Sequence, residues 1–142
     1  MDNSEILQIK KRAIDGAISL AKDCNLELDF TDESIDNVEL ILSALHENYI
    51  IAKDDYGLNG LAFMLGLYIV DVIEKNHGKG NLQINHKDFG QNSFPFSWNE
   101  STLFPTAWCQ KRIFEGKEND VVFKYKTFIL EKNKNAQSTD VD

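Results

Sequence analysis

The sequence predicts an α+β fold with segregated elements: three N-terminal helices, a small antiparallel three-stranded sheet and two C-terminal helices. Three observations point to it. As far as residue 76, apolar residues recur at three- and four-residue spacing, as in helices buried on one side. Between residues 82 and 104 the period drops to two, the spacing of strands. After Pro105 the helical spacing returns.

The first helix reads over residues 3–23, from Ile6, Ile9, Ala13, Ile14, Ala17, Ile18 and Ala21. Gly16 is a mild cost within it, and Lys10, Lys11 and Arg12 read as solvated. Leu26, Leu28 and Phe30 then alternate with acids, which suits an extended run. Thr31 is placed to cap the second helix, with Asp32 and Glu33 favouring its positive end. Phe30 and Ile35 fit a hydrophobic staple, while Ser34 in place of glutamate leaves the capping box incomplete.

The second helix spans 32–53 and buries Ile35, Val38, Ile41, Leu42, Leu45 and Tyr49. At about 100° per residue, Glu33, Asp36, Glu39, Ser43 and Glu47 fall within about 60° of one line on the opposite face. Leu40, Ile50 and Ile51 project toward that polar side or its flanks. Asp54-Asp55-Tyr56-Gly57 breaks the chain. The third helix, 58–76, is apolar nearly all round and reads as the central core helix. Gly60 and Gly66 in it suit close approach of a neighbour, and Asp71 and Glu74 read as solvated acids. Gly78 suits the stop.

The strand runs are Leu82 to His86, Phe94 to Trp98 and Thr102–Phe104. Pro95 marks the second as an edge strand or a bulge. Pro105 opens the fourth helix, which stops at Gly116. The last helix covers 119–133 from Val121, Val122, Tyr125, Phe128 and Ile129, although Val121–Phe123 also fits the start of a strand. Residues 1–133 thus form a single domain, and 134–142, with no packable apolar face, read as a disordered tail.

The chain has 142 residues, 42% hydrophobic, 11% aromatic and 27% charged, which suits one domain with a full core. Fifteen bases against 23 acids leave a net charge of −8, which argues against nucleic-acid binding. The charge is concentrated. Residues 23–60 hold ten acids and a lone base, Lys53, whereas the remainder nearly balances. The stretch MDNSEILQIKKR carries no apolar segment of a secretory leader, and the run Leu61–Val70 is too short to span a membrane, so a cytosolic protein is expected. Cys24 and Cys109 then read as buried free thiols.

Reactive chemistry finds little support. His46, His77 and His86 lack metal-ligand spacing, so no metal or other cofactor is expected. Cys109 has no histidine near it in sequence. Gly78-Lys79-Gly80 lacks the lysine-hydroxyl pair of a phosphate loop and fits a hairpin entry. Phe94, Phe96 and Trp98 read as core rather than as a base-stacking face.

Gly66, Tyr68, Asp71, Val72 and Ile73 form a G-x-Y-x-x-D-V-I helix, followed by the Phe104-Pro105 step and the Lys111-Arg112 pair. In these, the stretch from Gly66 to Arg112 resembles a type of uncharacterised small bacterial α+β domain. The resemblance implies no catalytic residue. In size, charge and style the chain also resembles the immunity proteins of bacterial toxin systems. That likeness implies a non-enzymatic protein that neutralises a basic toxin domain.

The expected partner-binding face is Glu33, Asp36, Glu39, Leu40, Glu47, Ile50, Ile51, Asp54, Asp55 and Tyr56. The acids would supply a steering field and the apolar residues the desolvated anchors. Two other readings stay open: a generic bacterial accessory or regulatory domain, and an enzyme or small-ligand binder. The latter would use a pocket between helices and sheet, built from Trp98, Trp108, Arg112 and His86. Neither a nucleic-acid nor a membrane partner is expected.

Overall fold

A computed structural model describes residues 2–85 and 94–132. The order is α1 (Asn3–Asp23), α2 (Ile35–Ala52), α3 (Leu58–His77), β1 (Asn81–Leu82), β2 (Phe96–Trp98), β3 (Ser101–Leu103), α4 (Pro105–Glu115) and α5 (Val121–Tyr125). A 3-10 turn, Asp32–Ser34, leads into α2, and α5 continues as a π-helical turn, Lys126–Leu130. This is the α+β arrangement of three helices, a small sheet and two helices that the hydrophobic period predicts.

The central helix is α3. Its residues from Leu65 to Ile73 are all buried, and it packs chiefly against α1 and α4. Two glycines permit this. A Cβ on Gly66 would lie 2.5 Å from Thr106 Cα, so the backbone of α4 sits directly on that position. A Cβ on Gly16 would meet Met64 Sδ at 2.3 Å, so Gly16 is a contact point of α1 with α3 rather than a mere cost. At Gly60, in contrast, a Cβ would have no described residue within 4 Å.

The junction between α1 and α2 is not a strand. Leu28 is buried, but Phe30 adopts a left-handed conformation with φ 65°. That conformation is uncommon for a bulky residue and must be held in place by its surroundings. Here the Phe30 N–H donates to Tyr68 Oη at 2.9 Å, and Asn76 Nδ2 donates to the Phe30 carbonyl at 2.8 Å. The Phe30 ring packs on Tyr68 and lies under Lys75 Nζ. Thr31 caps the 3-10 turn as expected, accepting from the Ser34 N–H. Ser34 Oγ donates to the Thr31 carbonyl and therefore accepts from Tyr68 Oη at 2.7 Å.

The sheet is antiparallel in the order β1-β2-β3. The second run is therefore the central strand, not an edge. Pro95 is tolerated because it precedes β2, where its carbonyl accepts from the Gln83 N–H at 3.0 Å. The β2–β3 hairpin closes through Asn99 and Glu100, both at positive φ, as a two-residue primed turn requires. Phe96 and Trp98 face the core and Ser97 faces out. Phe104 does not extend β3 but precedes Pro105, the first residue of α4. The expected continuation of the first strand to His86 and the tail 134–142 lie outside the described residues.

Val121–Phe123 begins a helix, capped by Asp120, whose carboxylate accepts the Phe123 N–H at 3.0 Å. Cys109 is a buried free thiol, whereas Cys24, at the end of α1, is exposed. The pattern places Cys24 just past the last apolar turn, where no element covers it.

Candidate functional site

The expected site residues divide into two groups. Along α2, Asp36, Leu40, Ala44, Glu47 and Ile51 follow one another at three- and four-residue steps and are all exposed. Leu40 and Ile50 retain 56% of their surface and Ile51 retains 81%. Asp36 and Glu47 form no ion pair with any described residue. Glu33 is exposed in the 3-10 turn that precedes the helix.

Local chain geometry extends this face beyond the helix. Lys53 ends α2 in a left-handed conformation, with its N–H on the Tyr49 carbonyl at 2.7 Å. Asp54 Oδ1 accepts the Tyr56 N–H at 3.0 Å, and the Asp55 carbonyl accepts the Leu58 N–H at 3.1 Å. These short-range bonds make a tight corner, which Gly57, at φ 77°, completes at the start of α3. Tyr56 is left in the corner, 90% exposed, directly after two exposed aspartates.

Glu39 departs from the expected face. It lies on the flank of α2 that turns toward α4 and α5, and its carboxylate is committed inside the fold. Arg112 Nε donates to both of its oxygens, at 2.8 and 3.1 Å, and the Val121 N–H donates to Oε1 at 3.2 Å. Burial pushes the Glu39 carboxyl above its ordinary range, with Arg112 and the Val121 N–H opposing it. The face prediction failed for Glu39 because a single-helix projection cannot tell a solvated flank from one that another helix covers.

The described residues expected to build a ligand pocket, Trp98, Trp108 and Arg112, are all buried. Arg112 is 3% exposed and held by Glu39, and its Nη1 is buried without a partner among the described residues. Trp108 is buried and stacks on Phe128. Trp98 is buried, with its Nε1 donating to the Gly78 carbonyl at 3.2 Å. His86 lies outside the described residues. Burial pushes the Cys109 thiol well up, which keeps it in the unreactive protonated form.

A charged cluster that the sequence does not single out closes the far side of the molecule. Lys10 Nζ contacts Asp71 Oδ1 at 3.1 Å and Glu74 Oε1 at 2.6 Å, and Lys75 Nζ reaches Asp71 Oδ2 at 2.5 Å. Glu74 Oε2 accepts the Gly80 N–H at 3.0 Å. The side chains of Lys10, Asp71 and Glu74 are mostly buried, so none of the three is solvated as expected. Burial opposes the Lys10 charge, but Glu74 and Asp71 outweigh it and raise the lysine pKa. The cluster borders a cleft of about 580 Å³ between α1, the end of α3 and β1, lined also by Ile6, Leu7 and Leu82. The available signal was Asp71 itself, an acid set inside an otherwise apolar helix.

His77 Nε2 lies 2.8 Å from Asp32 Oδ1, which also accepts from Tyr125 Oη, so that histidine and acid serve to join α3, α5 and the turn before α2. Among the described residues, no group of three or more histidine, cysteine or acidic side chains is placed to hold a metal ion. No described helix is long and apolar enough to cross a membrane. Comparison with protein-family models, with curated proteins and with solved structures gave no match.

Proposed function

We propose that this chain is a non-enzymatic protein-binding domain. It uses the outer face of α2 and the corner after it to hold a basic protein surface, and in its most specific form it is an immunity protein that neutralises a bacterial toxin domain. The observation that carries the reading is the exposure of Leu40, Ile51 and Tyr56 among Asp36, Glu47, Asp54 and Asp55. Large apolar side chains held in water at 81% and 90% exposure by a helix and a tight corner contribute nothing to the core. Beside uncompensated acids they make a face with anchors and a steering field together. At about 1.5 Å per residue, Asp36 to Ile51 spans about 23 Å, the scale of an ordinary protein interface.

Capture of the partner from the native host at low and at physiological salt tests this reading. A basic protein held in stoichiometric amount, weakened by salt and lost with the double substitution Glu47→Lys and Asp54→Lys, is the expected result. If that protein kills cells when expressed alone and co-expression of this chain rescues them, the partner is a toxin. Capture that ignores both salt and charge reversal overturns the acidic face.

A second reading has one observation in its favour, the cleft beside Lys10 and Asp71. Its charged groups largely compensate one another across α1 and α3, which fits a structural tie better than a ligand site. Saturable thermal stabilisation by a small molecule, abolished by Lys10→Met, would favour it.

A further inference from the structure

We infer that the groove lined by His46, Glu47, Ile50 and Ile51 is the point at which the acidic face takes an arginine side chain of its partner. The groove measures about 310 Å³ and lies on the outer side of the C-terminal half of α2. Its chemistry is one-sided. Ile50 and Ile51 give apolar walls and no polar side-chain atom. Glu47 gives a carboxylate with no ion pair among the described residues. The His46 ring is fixed, because Nδ1 lies 2.7 Å from the Ile113 carbonyl and must be the donor in that bond. Its remaining nitrogen lies beside Gly116, at the end of α4. Glu47, Ile50 and Ile51 therefore offer the groove a carboxylate and hydrocarbon, but no donor.

That combination fits a side chain with a hydrocarbon stem and a head that only donates. Arginine and lysine both have this form. Against isoleucine side chains the flat, weakly hydrated guanidinium is favoured over the strongly hydrated ammonium. The surrounding field favours a cation, since Asp54 and Asp55 outnumber Lys53 among the exposed charges at the helix end. An aspartate or glutamate of a partner would meet the unpaired Glu47 carboxylate, and an uncharged apolar side chain would leave Glu47 desolvated without a counter-charge.

The inference rests on the acidic-face reading, and the experiment separates the two. Backbone amide resonances of the full chain are followed by NMR while blocked arginine, and in parallel blocked citrulline, is added at millimolar concentration. Citrulline has the same shape without the charge. Saturable shifts at Glu47, Ile50 and Ile51 with arginine, absent with citrulline and about two- to fivefold weaker in Glu47→Gln, are expected for an exposed pair. Glu47 is at the surface, so the variant folds, which its unchanged spectrum elsewhere would verify. Equal responses to the two ligands, or arginine shifts untouched by Glu47→Gln, overturn the groove. Arginine shifts confined to Asp54–Tyr56 overturn the groove but leave the acidic face standing. Failure of the salt-dependent capture overturns the face itself.

Discussion

Arg112 Nε lies within 3.1 Å of both carboxylate oxygens of Glu39, a contact between α2 and α4 that bridges 73 positions of sequence. It converts a residue of the acidic segment into part of the framework. It also leaves Arg112, nearly wholly buried, dependent on a single counter-charge among the described residues.

Removal of that counter-charge is expected to be costly. Glu39→Ala strands a buried guanidinium and unpairs the Val121 N–H, so stability should fall by about 2–3 kcal/mol. Asp36→Ala, on the exposed line of the same helix, should change it by less than about 0.5 kcal/mol. Urea unfolding of the two variants checks the contrast, and equal effects would place Glu39 on the solvated face after all.

Lys10 sets a pH dependence. Its pKa is raised in the folded chain, so it binds its proton more tightly there than when unfolded. The stability it contributes is therefore fully present below the unfolded lysine value, about 10.4, and is lost as pH rises through the folded value. Lys10→Met should be less stable than the parent at neutral pH, because Asp71 and Glu74 are left together without it. The gap between the two proteins should narrow above about pH 10.4. Thermal melts of both across the alkaline range measure this, and a constant gap would show that only packing was lost.

The glycines of α3 should behave in opposite ways. Gly66→Ala forces a methyl group against the backbone of Thr106 and should cost about 1–3 kcal/mol. Gly60→Ala meets no described residue and removes a flexible residue from a helix, so it should be neutral or stabilising by up to about 1 kcal/mol. Melting temperatures of the pair, in one buffer, decide it.

The two thiols should separate by reactivity. Cys24 is exposed and Cys109 is buried, with burial keeping its thiol protonated. A thiol reagent should label Cys24 rapidly in the native protein and reach Cys109 only when the chain unfolds. Mass spectrometry of the labelled peptides, with and without denaturant, reads this out. Fast labelling of Cys109 in the native state would mean that α4 opens readily.

Hydrophobic period and local chemistry already specify the order of the elements, the start of α4 at Pro105 and the cap at Thr31. Each depends on residues close together in the chain, through period, backbone restriction or a short-range hydrogen bond. Packing between elements settled that Glu39 belongs to Arg112, that Lys10 belongs to Asp71 and Glu74, that the backbone of α4 sits on Gly66, that Leu40 and Ile51 stay exposed, and that β2 is central despite Pro95. Those outcomes turn on which helix or strand covers which flank, and hydrophobic period carries no information about that. A charge is equally compatible with water and with a buried partner until the fold brings the partner to it, and the desolvation that then makes the pairing matter arises only from that packing.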